Sequence, residues 1–218
     1  LRALPSIWMA FGVIVAYLLG SIPTGYWLVK AVRGMDIRRH GSGNIGATNV
    51  RRVLGWGWGN TVLIIDIAKG TVAVVLAKAL FFTAGGPVSP DVYKIVCAIA
   101  AVCGHNWTIF LGFHGGKGVA TTAGALLGLA PGLFLASAVV WGIAVKITGY
   151  VSVASMAAAL AFCAFTFLLN TSLEMKVFGL VMAVFFIVKH RTNIERLLKG
   201  TEPKMGKGDT TKADNAIR

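Results

Sequence analysis

Residues 119–145 read VATTAGALLGLAPGLFLASAVVWGIAV, without one ionisable side chain. Roughly 20 such residues in helical form cross a hydrocarbon core, so this stretch belongs in a membrane. Pro131 stands near its middle, flanked by Gly128 and Gly132. Proline removes a backbone donor and breaks the helical ladder, which predicts two short helices with a turn at Pro131 rather than one long helix. Working outward, comparable apolar runs cover residues 6–32, 53–82, 92–103, 151–169 and 175–188. The run at 92 reaches span length if it continues through Trp107 to Phe113. Lipid offers no partner to an open strand edge, so all of these are expected to be helices.

Composition agrees. Of 218 residues, 56% are hydrophobic and 13% charged, with a mean hydropathy of +0.74, too little polar material for a soluble chain of this size. The net charge of +13 sits in loops and at the C-terminal end, not on one folded basic face with interleaved aromatic residues. That argues against a nucleic-acid partner and for membrane surface or anionic small substrates. Cys97, Cys103 and Cys163 fall inside apolar runs without metal-ligand spacing and read as small core residues.

Charge also orients the chain. The segment 30–52 carries Lys30, Arg33, Arg38, Arg39, Arg51 and Arg52, whereas 83–91 has no Lys or Arg. The excess of positive charge places the first on the cytoplasmic side and the second outside. The end from residue 189 holds eight Lys and Arg and should also be cytoplasmic. Only two crossings within 119–145 satisfy both ends. The expectation is an all-α polytopic membrane protein with seven transmembrane helices, N-terminus out and C-terminus in. Residues 3–19 lack a small-x-small cleavage pattern and are expected to stay as an uncleaved first span. Residues 1–200 then form a single membrane domain, and 201–218 a polar, flexible tail.

The unusual motifs all fall on the predicted cytoplasmic side. Residues 41–52, GSGNIGATNVRR, space Gly41, Gly43 and Gly46 as in a dinucleotide fingerprint, but lack the strand and βαβ unit that fingerprint requires. Closely spaced glycines still let backbone N–H groups approach an anion, with Arg51 or Arg52 supplying charge and Ser42, Asn44, Thr48 and Asn49 adding neutral hydrogen-bonding groups. The bland alternative is a flexible turn between spans. Residues 104–122, GHNWTIFLGFHGGKGVATT, resemble a P-loop around Lys117, yet Gly112 lies one residue too near and Gly118 occupies the Ser/Thr position that would hold magnesium. A GGKG turn entering a helix at Val119 nonetheless offers backbone N–H groups, a helix N-terminus and one ammonium to a phosphate.

His105, His114 and His190 lack metal-ligand spacing, so no metal is expected. Asp66 and Lys69 lie three apart within an apolar run, where ionisable groups are paired or functional. Tyr150, Ser152 and Ser155 open a later span, where small hydroxyl residues also let helices pack closely. Together these features favour an enzyme acting on phosphorylated molecules at the cytoplasmic membrane face. A transporter is the rival, but the two halves show no inverted repeat and the polar motifs gather at one side rather than at the midplane.

GSGNIGATNVRR, DIAKG, GHNWTIFLGFHGGKGVAT, GYVSVAS and HRTNIERLLKGTE occur in this order between apolar runs. This ordered set, over residues 21–202, resembles the PlsY family of acyl-phosphate:glycerol-3-phosphate acyltransferases. The resemblance implies transfer of a fatty acyl group from acyl phosphate to the sn-1 hydroxyl of glycerol 3-phosphate, giving lysophosphatidic acid and inorganic phosphate in phospholipid synthesis. It implies a bacterial inner-membrane enzyme with its active site facing the cytoplasm. It implies no cofactor, and neither acyl-CoA nor acyl carrier protein as direct donor. By position it assigns Ser42, Arg52, Lys117, His190 and Asn193 to catalysis. Asn44, Thr48, Asn49, His105, Gly115, Gly116, Gly118 and Ser155 are assigned to substrate binding, with Gly115 to Gly118 as the phosphate-binding turn. Thr108 and His114 depart from the family's expected proline and lysine, which bears on loop shape and charge near Lys117.

Acyl phosphate is a mixed anhydride with an activated carbonyl, so positioning two phosphorylated substrates can do much of the work. His190 or His105 could accept the hydroxyl proton, as could a substrate phosphate. The favoured reading is phosphate-assisted attack with His190 orienting, since neither histidine has an evident carboxylate partner in the sequence.

Overall fold

Proline and glycine punctuate the apolar runs, and the helices begin and end accordingly. The computed structural model describes residues 3–84 and 87–206 and is helical throughout, with no strand among the described residues. In chain order the helices are α1 (Ala3–Ser21), α2 (Thr24–Arg33), α3 (Ala47–Leu54), α4 (Trp56–Ala84), α5 (Pro90–Asn106), α6 (Val119–Leu129), α7 (Pro131–Thr148), α8 (Val151–Leu168), α9 (Leu173–Lys189) and α10 (Arg191–Leu198). Residues 207–218 of the expected tail lie outside the described residues.

The run at 6–32 is not one continuous helix. α1 ends at Ser21 and α2 begins at Thr24, because Pro23 has no N–H to continue the ladder. The break at Pro131 falls where the proline predicts it: α6 stops at Leu129, Ala130 is non-helical, and Pro131 opens α7 at its first position. The run at 92 gains its length at both ends, starting at Pro90 behind the Ser89 cap and reaching a 3-10 turn at Ile109–Leu111. Among the described residues, four segments are long and apolar enough to cross a membrane: Ser6–Arg33, Pro90–Leu111, Pro131–Thr148 and Val151–Leu168. α4 carries Asp66, Lys69 and Lys78 along its 29 residues, and α9 has 17. Large apolar side chains such as Ile14, Ile64, Val139, Ile147 and Val184 are exposed, which suits a lipid surround.

The described helices group into two compact units, α1 to α6 and α7 to α10. In the first, α1 packs on α5 and α4 packs on α6, both at backbone distance. A Cβ on Gly20 would collide with the Ala101 carbonyl and one on Gly104 with that of Tyr17; likewise Gly70 meets the Thr121 carbonyl and Gly124 that of Ile67. Such small-residue seams are how helices associate where lipid supplies no hydrophobic drive. They hold the C-terminal end of α5 and the N-terminal end of α6 in fixed register against α1 and α4. The second unit stacks α7 on α8 and α8 on α9, with Phe162 edge-on to Phe178 and α10 folding back against α9.

Candidate active site

The glycine-rich motif is half loop, half helix. Asp36 caps the 3-10 turn Ile37–Arg39 by accepting from the Arg38 N–H at 2.9 Å, and the Arg38 guanidinium grips it at 2.6 Å. These hydrogen bonds hold the Asp36 carboxyl down at about 2, against the upward push of burial. Gly41 and Gly43 follow with φ of +59° and +72°, a region side chains disfavour. The loop closes on Asn49, whose side chain is buried in α3: its Oδ1 accepts from the Ser42 N–H at 2.8 Å, and its Nδ2 donates to the His40 and Asn44 carbonyls at 2.9 and 2.8 Å. Asn44 Oδ1 accepts from the Gly46 N–H at 2.8 Å, turning the chain into α3. Ser42, Thr48 and Arg52 are half-buried around this frame. Arg51 is committed elsewhere, donating to Asn60 Oδ1 at 2.7 Å with its guanidinium over the Trp56 ring.

The GGKG turn is built on the end of α5. The Gly115 N–H donates to the Asn106 carbonyl at 3.1 Å and the Gly116 N–H to the His105 carbonyl at 2.9 Å. Two of the amides expected to face phosphate therefore hold the turn to α5 instead, because the last carbonyls of a helix need partners. Gly118, at φ +78°, reverses the chain over the Asn106 side chain, and the first bond of α6 runs from the Thr122 N–H to the Gly118 carbonyl. The first-turn amides of α6 have no intrahelical acceptor, and they follow directly after Lys117 and Gly118. Thr108, standing where proline was expected, is buried and hydrogen-bonds the Ser21 carbonyl; His114 is exposed and pairs with the Gly112 carbonyl at 2.6 Å.

Below the turn, α4 contributes the ion pair that the sequence left open. Lys69 Nζ lies 2.9 Å from Asp66 Oδ1, 2.8 Å from the Ile22 carbonyl and 3.0 Å from His105 Nδ1, and Thr24 Oγ1 donates to Asp66 at 3.2 Å. His105 Nδ1 is 3.9 Å from Asp66, so that histidine has a carboxylate neighbour 39 positions away in sequence.

The second unit holds its own polar cluster. Glu202, read from sequence as part of a flexible tail, is buried and accepts from Ser152 Oγ at 2.8 Å, Asn193 Nδ2 at 2.6 Å and Arg196 Nε at 2.7 Å. Burial alone would raise its carboxyl, but the hydrogen bonds from Asn193, Arg196 and Ser152 outweigh it and hold it below the ordinary value. His190 closes α9, stacked on Phe186, with Nδ1 2.8 Å from the Phe186 carbonyl. Ser155 Oγ donates to the Val151 carbonyl at 2.7 Å and accepts from Trp141 Nε1 at 3.3 Å. The sequence reading took Ser152 for a small hydroxyl at a helix contact and gave Glu202 no role of its own. Among the described residues, no three His, Cys, Asp or Glu side chains gather in a way that could hold a metal ion.

With helices as its only regular structure among the described residues, apolar side chains exposed on them and polar loops between them, the chain is an integral membrane protein. A sequence model described as glycerol-3-phosphate acyltransferase matches residues 10–200. A glycerol-3-phosphate acyltransferase of Desulforudis audaxviator is 45% identical, over 87% of this chain and 92% of its own. That of Trichormus variabilis is 43% identical over 94% and 95%. Two solved structures of PlsY (YgiH), an integral membrane glycerol 3-phosphate acyltransferase, are also similar. The glycerol 3-phosphate form is 37% identical with a TM-score of 0.82, covering 91% of this chain and 96% of that one. The lysophosphatidic acid form is 36% identical with a TM-score of 0.78, covering 91% and 95%. The chain belongs to the glycerol-3-phosphate acyltransferase family.

Proposed function

We propose that this enzyme transfers a fatty acyl group from acyl phosphate to the sn-1 hydroxyl of glycerol 3-phosphate, releasing lysophosphatidic acid and inorganic phosphate. The observation that carries the reading is the GGKG turn, anchored to α5 through Gly115 and Gly116, which sets Lys117 beside the N-terminus of α6, an ammonium and a helix end that together suit a phosphate. A donor and acceptor that both carry phosphate call for several such groups. We assign Arg52 to substrate, with Ser42, Asn44 and Thr48 of the same glycine-rich motif, while Arg51 turns to Asn60 and Trp56. The buried amide of Asn49 shapes the loop for them. For His190 and Asn193 we propose orientation of the attacking hydroxyl. The similar PlsY structures, solved with glycerol 3-phosphate and with lysophosphatidic acid, support the acceptor and product.

The acyl chain needs no dedicated motif, since lipid-facing helices can keep it in the bilayer. We further propose seven crossings of a bacterial inner membrane, N-terminus out and C-terminus in, with the chemistry at the cytoplasmic face. Purified protein given palmitoyl phosphate and glycerol 3-phosphate, without acyl-CoA or acyl carrier protein, should release phosphate and lysophosphatidic acid in equal amounts. Product from palmitoyl-CoA alone and none from palmitoyl phosphate would overturn the donor assignment.

A further inference from the structure

Asp66 and Lys69 have no part in the chemistry proposed above, yet both are buried in α4, where charge is costly unless matched. The match is unusually complete. An ammonium has three donors, and Lys69 meets three acceptors between 2.8 and 3.0 Å: the Asp66 carboxylate, the Ile22 carbonyl and His105 Nδ1. The Ile22 carbonyl lies at the break that Pro23 imposes between α1 and α2. An ammonium cannot accept a hydrogen bond, so His105 Nδ1 must offer its lone pair. In the neutral ring the proton then sits on Nε2.

That nitrogen lies against the GGKG turn. A Cβ built on Gly116 would overlap His105 Nε2, while the His105 carbonyl accepts the Gly116 N–H at 2.9 Å. Ring and backbone of one residue thus bracket Gly116. We propose that Asp66 and Lys69 are positioning residues that fix His105 as its Nε2–H tautomer, presenting a donor rather than a base at the phosphate-binding turn. The donor role rests on the phosphate-handling reading of that turn. The tautomer does not, and is read without activity.

The test combines nitrogen NMR of the His105 ring in the detergent-solubilised full chain with steady-state kinetics. Wild-type protein should show Nε2 protonated and Nδ1 bare. In Lys69→Met, and in Asp66→Asn/Lys69→Met, which leaves no buried charge unmatched, the ring should populate both tautomers. The double variant should melt near wild type yet lose about 10²-fold in kcat/KM, mainly through KM for a phosphorylated substrate. Asp66→Asn, which keeps the shape of the pair, should fall between and serves if the double variant does not fold. A wild-type ring carrying its proton on Nδ1, or a double variant with wild-type ring signals and KM, would overturn the proposal. An Nε2–H ring that is lost in Lys69→Met supports the positioning role even if palmitoyl phosphate yields no product; that failure would count against the donor role alone.

Discussion

His105 and His190 occupy like places, at the C-terminal ends of α5 and α9, and both are buried. Their rings are wired in opposite senses. His105 Nδ1 faces the Lys69 ammonium and must accept, whereas His190 Nδ1 faces the Phe186 carbonyl and must donate. A neutral His105 therefore carries its proton on Nε2, and a neutral His190 carries a lone pair there. The partner of one nitrogen decides what the other can do. His190 suits accepting from or orienting a hydroxyl, and His105 suits donating to an anion. The two histidines that the sequence offered as proton acceptors are told apart by a lysine in another helix.

The comparison breaks most severely if the ion pair is halved. Asp66→Ala leaves the Lys69 ammonium buried without its counter-charge, and should destabilise the protein by about 3–5 kcal/mol, read as a fall in the unfolding midpoint in detergent. Gly116→Ala leaves the charges alone and pushes a methyl group into the His105 ring. It should cost about 10²-fold in kcat/KM, while Gly142→Ala on α7, where a Cβ meets nothing within 4 Å, serves as a control at wild-type activity. Replacing His105 and His190 together by glutamine should lower turnover only about tenfold, short of the 10²–10⁴ that losing a true general base costs. Complete loss in a folded protein that still binds substrate would mean that a histidine, not substrate phosphate, takes the proton.

Much of this was legible in sequence, and what was not has a physical reason. The break at Pro131 and the GGKG turn are local signals, because proline chemistry and glycine spacing act within a few residues. The break after Ser21 was equally available from Pro23, but an otherwise unbroken apolar run hid it. Asp66 and Lys69 were visible as a pair at three-residue spacing. Their link to His105 and Ile22 was not, since it joins residues 36 and 47 positions apart. Glu202 was lost to composition: its neighbours are polar, and nothing nearby signals that Ser152, 50 positions earlier, reaches it.

Glu202 also gives the smallest effect. Its carboxyl is held below the ordinary value, so its contribution is present above about pH 4.3 and is lost as pH falls through the lowered folded-state value. Because Arg196 is part-exposed and solvent-screened, Glu202→Gln should cost only about 1 kcal/mol near neutral pH. The gap between the two unfolding midpoints should close on acidification. A gap that widened instead would mean that the carboxylate is not held by these donors.

A phosphate held at the turn between α5 and α6 is the centre of the proposed chemistry. Lys117→Ala, shown to be folded by its unfolding midpoint, should be assayed beside the parent enzyme for lysophosphatidic acid formed from palmitoyl phosphate and glycerol 3-phosphate. The expected result is a loss of at least about 10²-fold in kcat/KM. Parent-level kinetics in the folded variant would contradict it and move the phosphate away from the GGKG turn.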